Sequence, residues 1–338
     1  MKFNLPNTGK RKISVIELSS TALKFLLGKK NFDISNITTN SFEKTPAYKF
    51  DKDSFFKENG ELNTIYIDKG IIKKLNEFIG VLLNAKVTEL YCYRSYGFSK
   101  INYQTDLILE YISEKTDLTF TQLEKKEEAY YSFLSSKYII SNELNFDDFF
   151  LNVDIGGQTT EIALKENSSK YRFTSLEIGT ELVTKLYSNI YPLKEENSSI
   201  TIIQKIQSEI YKHIDSVLID LFINMDVNKN SYVLFIGSKI KELTAKTHSK
   251  NNRLFICINL NYIKRNLNAM ELKLKKSLSK NITPPLDLKT HDKKHLRFYL
   301  VLKLYYEIIS IYRLENIYIS RAGMRHGIYF DKFLNQNT

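Results

Sequence analysis

The stretch Phe149-Phe150-Leu151-Asn152-Val153-Asp154-Ile155-Gly156-Gly157-Gln158-Thr159-Thr160-Glu161-Ile162-Ala163-Leu164 decides how this chain is read. The apolar run from Phe149 to Val153 predicts a buried strand ending at Asp154. Gly156 and Gly157 break the pattern, and alternation resumes from Thr159 to Leu164, so the segment reads as a β-hairpin with a glycine turn. Glycines carry no Cβ and let backbone N–H groups approach an anion closely. Thr159 and Thr160 add hydroxyl donors, while Asp154 and Glu161 flank the turn with oxygens suited to a hard cation such as Mg²⁺. Taken alone, the turn is an ordinary Gly-Gly hairpin. Its neighbours along the chain decide whether it is more.

A chain of 338 residues is long enough for two domains, each with a sizeable core. A hydrophobic content of 43% with 26% charged residues is ordinary for a soluble globular protein. Two cysteines, Cys92 and Cys257, supply neither a disulfide framework nor zinc-ligand spacing, which fits a reducing cytoplasm. The polar, basic start from Met1 to Lys12 has no apolar core of signal-peptide length, and no apolar run approaches the roughly 20 residues of a membrane span. The expectation is a cytoplasmic protein with no membrane partner. The formal charge of +11 is partly concentrated in Lys264–Arg297, where ten Lys and Arg face three acids. Such a surface either captures polyanions or is a solvated helical face. No helix-turn-helix, zinc or RNA-binding signature is present, so nucleic acid is not the expected polyanion.

Along the chain, Ile13–Leu18 and Ala22–Leu27 read as strands around a Ser19-Ser20-Thr21 turn. Residues 31–66 read as further strands with long connections. A helix is expected from Asp68, which would cap it, through Leu82. Val87–Tyr93 forms a strand ending at Arg94, Ile101–Lys115 a helix, and Leu118–Leu123 a last strand before the helix that opens at Lys125-Lys126-Glu127-Glu128-Ala129. Further on come a strand at Tyr171–Leu176, a helix at Thr201–Leu221 with His213 off its apolar stripe, and a strand at Tyr232–Ile236 ending in Gly237. Helices at Asn259–Leu278 and His295–Ile311 precede a final strand at Asn316–Ser320.

The loop Asp154–Glu161 resembles the second phosphate loop, Asp-x-Gly-Gly-Gly-Ser-Thr-Glu, of the exopolyphosphatase / guanosine pentaphosphate phosphohydrolase family, within the sugar kinase–Hsp70–actin superfamily; Gln158 replaces the third glycine. Ser320-Arg321-Ala322-Gly323-Met324-Arg325-His326-Gly327 resembles the family's Ser-x-x-Gly-Leu-Arg-x-Gly segment. Ser175–Gly179 is similar to its Ser-Leu-x-x-Gly segment, and Gly237 falls at its Gly-Gly-Thr, where Ser238 and Lys239 depart. At the first phosphate loop, Asp-x-Gly-Ser-Asn-Ser, this chain has Glu17-Leu18-Ser19-Ser20-Thr21-Ala22 and keeps only Ser20 outright. Arg94 stands where the family has the arginine of Thr-x-Ala-x-Arg, and Glu128 at the catalytic Glu of Gly-x-Glu-Glu-Ala-Arg.

The resemblance implies an α/β protein of two actin-like, ribonuclease-H-like domains, 1–124 and 125–325, with 326–338 returning to the first and the site in the interdomain cleft. It implies hydrolysis of a terminal phosphoanhydride of inorganic polyphosphate or guanosine pentaphosphate, with Glu128 as base. Arg94, Ser20, Gly156, Gly157, Thr159, Thr160 and Gly237 would bind phosphate, and Asp154, Glu161 and Glu17 would hold Mg²⁺. The alternative is a polyphosphate- or nucleotide-binding regulatory module, favoured by the altered loop positions Ser19, Thr21, Ala22, Gln158, Ser238 and Lys239. A superfamily kinase is a third reading, opposed by the Glu-Glu-Ala helix start. The oligomeric state is not legible in the sequence; two-fold pairing is usual for soluble enzymes, so a homodimer is one expectation.

Overall fold

All six residues of strand β1 (Ile13–Leu18) are buried, polar Ser14 and Glu17 included, because the strand is central in its sheet and covered on both faces. The computed structural model describes residues 11–29, 32–33, 37–43, 47–99, 104–140, 144, 149–165, 170–181, 208, 231–237, 240, 243, 254–280, 290–312 and 314–335. These form two units: Met1–Leu144 with Asn252–Leu254 and Ala322–Thr338, and Asn145–Asn251 with Phe255–Arg321.

In the first unit, β1 pairs antiparallel with β2 (Ala22–Gly28), which in turn pairs with the short strands β3 (Phe42–Glu43) and β4 (Tyr48–Lys49). On its other side β1 runs parallel to β5 (Glu89–Arg94), followed by β6 (Thr121–Gln122). The sheet order is therefore β3-β2-β1-β5-β6. The expected strand at Leu118–Leu123 is only these two residues of β6.

A helical stretch joins the hairpin to β5. It starts with one turn, α1 (Thr64–Ile67), passes through a π-turn at Asp68–Ile72 and continues as α2 (Lys73–Asn84). The cap is Asn63, whose side chain accepts from the Tyr66 N–H at 3.2 Å; Asp68 instead accepts from the Tyr111 hydroxyl at 2.9 Å. Leu75, Phe78 and Leu82 of α2 pack with Ile16 and Leu18, and with Ile108 and Ile112 of α4 (Thr105–Thr116), into one core. Between β5 and α4 stands a one-turn helix, α3 (Tyr96–Ser99).

Helix α5 (Lys125–Ile140) belongs to this first unit, so the division falls at Leu144/Asn145 and not at 124/125. The reason is its partner, the chain's last helix, α8 (Met324–Leu334), which packs along it and against β1. Gly327 makes that approach possible, since a Cβ there would lie 1.7 Å from the Tyr131 carbonyl oxygen. Arg11 secures the far end of α8, dividing its guanidinium between Glu89 and the carbonyls of Lys332 and Phe333. Gly327→Ala is expected to force the two helices apart and lower stability by about 1–3 kcal/mol, read as a fall in Tm. An unchanged Tm would mean that the helices do not meet this closely.

The second unit repeats the scheme with its own strands. β7 (Phe149–Ile155), β8 (Thr160–Lys165) and β9 (Tyr171–Leu176) form an antiparallel meander, and β10 (Tyr232–Ile236) and β12 (Asn316–Ser320) run parallel beyond β7. An edge strand, β11 (Phe255–Asn259), closes the order β11-β12-β10-β7-β8-β9. The sequence reading had no strand here. Helices α6 (Leu260–Lys280) and α7 (Thr290–Tyr312) contribute Ile263, Leu267 and Leu304 to a core with Val153, Ile162 and Phe235. In each unit the first strand of the antiparallel hairpin continues on its other side into two parallel strands, β5 and β6 beside β1, β10 and β12 beside β7. Of the helix expected at Thr201–Leu221, Ser208 alone is among the described residues, and His213 lies outside them. Among the described residues, no helix is long and apolar enough to cross a membrane.

Candidate active site

Glu127 and Glu128 are adjacent in the first turn of α5, and the helix sends them in different directions. Glu127 is exposed and accepts from the Glu124 N–H at 2.8 Å, a capping role that the helix dipole favours. Glu128 is only 3% exposed, and its Oε1 accepts from the Tyr96 N–H at 2.6 Å. That contact places the Glu128 carboxylate at the end of β5, two residues beyond Arg94. The Ser95 N–H donates to the Leu18 carbonyl at 2.9 Å, so the β1–β2 turn adjoins the same point. Glu128, Arg94 and the Glu17–Ala22 turn thus converge at the carboxyl ends of two parallel strands, where open α/β sheets place their ligands.

Within this group the side chains differ in what they can offer. Arg94 pairs through Nη1 with the exposed Asp106 at 3.2 Å, while its Nε is buried and has no partner. Ser20 is buried in the turn, and Ser19 folds its hydroxyl onto the Ala22 carbonyl at 2.9 Å. Ser19 does not adopt a positive φ, so the turn tolerates a side chain where the family has glycine. Glu17 forms an ion pair with Lys24 across the hairpin. It also lies beside Arg325 of α8, a guanidinium whose pKa burial lowers and Glu17 partly restores. Two cations beside one carboxylate suit a counter-ion better than a metal ligand. Neither Lys24 nor Arg325 was singled out from the sequence, although Arg325 lies inside the Ser320–Gly327 motif.

In the second unit, Asp154 and Glu161 are directly opposite each other on β7 and β8, one on each side of the glycine turn. Glu161 is buried, and its carboxyl is pushed up to about 8, first by the loss of water around it and then by the charge of Asp154. The hydroxyls of Thr159 and Ser175 hydrogen-bond to it. The turn spans four residues, closed by the Gly156 N–H donating to the Thr159 carbonyl at 2.9 Å. Its carbonyls at Gly156 and Gly157 accept from the N–H groups of Thr180 and Glu181 at 3.0 and 2.8 Å, and the Gln158 amide donates to Glu181. Thr160 departs from its expected role. It is fully buried, and its hydroxyl proton goes to the Ile178 carbonyl at 2.5 Å, which leaves none for a phosphate.

Gly237, at the end of β10, has φ +127°, and a Cβ there would lie 2.9 Å from both the Ile155 carbonyl oxygen and the Tyr305 hydroxyl. Only glycine fits a backbone of that conformation. Its neighbours Ser238 and Lys239 are outside the described residues.

Two carboxylates held across one ladder, with burial opposing the charge of one, form a pair that a hard divalent cation would relieve. Among the described residues no cluster of three or more His, Cys, Asp or Glu stands ready to enclose a metal. Mg²⁺ commonly binds through one or two carboxylates and fills its other positions with water and phosphate oxygens, so Asp154 and Glu161 fit.

The expected site residues fall into two groups, Glu17, Ser20, Arg94 and Glu128 on the first unit, and Asp154, Gly156, Gly157, Thr159, Thr160, Glu161 and Gly237 on the second. These features define an α/β protein of two actin-like units, each with a tight turn and an acidic side chain at the ends of its central strands. The sequence pattern of the Ppx/GppA phosphatase family matches residues 38–336, and the chain belongs to that family. The chain is similar in structure to the Ppx-GppA enzyme of Aquifex aeolicus, with a TM-score of 0.67 at 16% identity over 94% of this chain and 98% of that one. It is also similar to an exopolyphosphatase from Cytophaga hutchinsonii, with a TM-score of 0.67 at 13% identity over 95% and 97% of the two chains. No curated protein matches the chain.

Proposed function

We propose that the protein hydrolyses terminal phosphoanhydride bonds of a polyanionic phosphate, either inorganic polyphosphate or guanosine pentaphosphate. The observation that carries this reading is the Glu128 carboxylate, withdrawn from solvent and fixed by the Tyr96 N–H at the end of β5 beside Arg94. A base at such a point takes the proton of an attacking water, and a nearby guanidinium steadies phosphoryl oxygens through its planar fork. On the second unit, the amides of Gly157 and Gly237 offer neutral donors to phosphate oxygens, while the Gly156 N–H is already held by the Thr159 carbonyl. Asp154 and Glu161 would hold Mg²⁺, which when bound neutralises charge on the phosphate oxygens. Glu17, paired with Lys24, acts in this reading as the counter-ion that keeps cationic side chains at the first turn.

The exposed Lys264, Arg265, Lys273 and Lys276 of α6 favour a long polyanion, hence polyphosphate. Phosphate release by the purified protein from both substrates, with Mg²⁺ and with chelator, tests the proposal. Release that is Mg²⁺-dependent and faster from polyphosphate is expected; no release from either would overturn it.

A second reading, phosphate recognition without turnover, draws support from Glu17. Tied to Lys24, it is withdrawn from any metal role at the first turn. Tight binding of polyphosphate without release would select that reading.

A further inference from the structure

Tyr305, in the middle of α7, is fully buried, and its phenol bridges the two strands that lead into the glycine turns of the second unit. The hydroxyl accepts from the Ile155 N–H at 3.4 Å and donates to the Ile236 carbonyl. Ile155 is the last residue of β7, directly before Gly156; Ile236 is the last of β10, directly before Gly237. These strands are parallel neighbours, with Ile236 level with Asp154. Beyond that level the described ladder stops, so backbone pairing no longer fixes the distance between the two turns.

A buried tyrosine hydroxyl ordinarily finds some partner. This one spends its donor and its acceptor on the two residues at which the turns begin. Its ring is held against Phe235, centroid to centroid 4.3 Å, so the hydroxyl has little freedom to follow a moving loop. The absent side chain at Gly237 completes the arrangement, because a Cβ there would press on both the phenol oxygen and the Ile155 carbonyl.

We propose that Tyr305 is a positioning residue that sets the spacing of the Gly156–Gly157 and Gly237 turns, and through it the affinity of the second unit for phosphate oxygens. The inference rests on the reading of those turns as phosphate-binding. It is tested with Tyr305→Phe, which keeps the packed ring and removes only the hydroxyl. Two readouts are needed, amide hydrogen exchange and steady-state phosphate release from polyphosphate.

Exchange over residues 153–159 and 233–237 is expected to rise roughly tenfold, with the rest of the unit unchanged, as one hydrogen bond at each strand end is lost. KM is expected to rise about tenfold with kcat within about threefold, the pattern of lost uniform binding. Unchanged exchange at both turns would overturn the proposal whatever the activity. So would raised exchange spread evenly over the unit with an unchanged KM, which marks a purely structural role. Should the native protein release no phosphate, the proposed function fails, while the exchange comparison still decides the role of Tyr305. Should Tyr305→Phe not fold, Gly237→Ala disturbs the same junction from the loop side and is expected to raise exchange at the same two turns; no local change there would equally overturn the proposal.

Discussion

Glu128→Gln is expected to lower kcat for phosphate release by about 10²–10⁴-fold, the usual contribution of a positioned general base. That range corresponds to roughly 3–5 kcal/mol of barrier. Glutamine is the informative substitution because Glu128 has a structural duty as well. Its Oε1 accepts from the half-buried Tyr96 N–H, and a glutamine carbonyl can keep that bond. Glu128→Ala would also remove the acceptor, adding a stability loss of about 1–3 kcal/mol that confuses the reading. The expected result is a glutamine variant with a Tm near that of the native protein and almost no turnover, measured by phosphate release and thermal unfolding side by side. Full turnover in the glutamine variant would remove Glu128 from the chemistry and leave it as a cap for α3.

The second large effect is on stability as a function of pH. In the folded chain Glu161 keeps its proton up to about 8, because burial and the charge of Asp154 both oppose ionisation. In the unfolded chain the same group ionises in the ordinary carboxylate range. Between those values the folded state holds a proton that the unfolded state has lost. The stability contribution of Glu161 is therefore complete below the ordinary range and is lost as pH rises through about 8. Between about pH 6 and about pH 9, in chelator, unfolding free energy is expected to fall by roughly 2–3 kcal/mol.

Excess Mg²⁺ is expected to flatten that slope, because a cation bound to the ionised pair favours the folded state. Glu161→Gln should remove both the slope and the Mg²⁺ stabilisation, since it leaves nothing to titrate and one oxygen ligand fewer in charge. Thermal unfolding across pH, with chelator and with Mg²⁺, measures all of this. A Tm that ignores both pH and Mg²⁺ would rule out Asp154 and Glu161 as a cation site.

The elements the sequence made legible share one property, a sharp change of pattern at each end. β7 and β8 stand out because Gly156 and Gly157 interrupt two apolar runs, and β1 and β2 because a run of three hydroxyl residues does the same. β11 was missed for the opposite reason, since Phe255–Asn259 passes directly into the helix at Leu260 with no breaker between them. The helix start at Asn63 was missed because the π-turn at Asp68–Ile72 shifts the periodicity that marks a helix. The domain division was misplaced by one helix, as no composition shift announces that α5 will pack on a segment almost 200 residues away.

Motif spacing brought out Glu128, Arg94 and the Asp154 turn, yet it could not divide the labour among neighbours. Glu127 and Glu128 are indistinguishable in one dimension; helical geometry turns one to water and the other to the Tyr96 N–H. Thr160 had the composition of a phosphate ligand until its hydroxyl was found on the Ile178 carbonyl. Tyr305 is one of 22 tyrosines in an apolar helix, with nothing local to mark it.

The two-unit α/β class and the order of the turns between its strands were legible in the sequence, because strand patterns and glycine breaks are local and survive in one dimension. Only the tertiary structure decided which carboxylate faces inward, which hydroxyls are already spent, and which buried phenol joins the two turns. Those are properties of atoms brought together from distant parts of the chain, where burial and hydrogen-bond supply, not residue type, set what each group can still do.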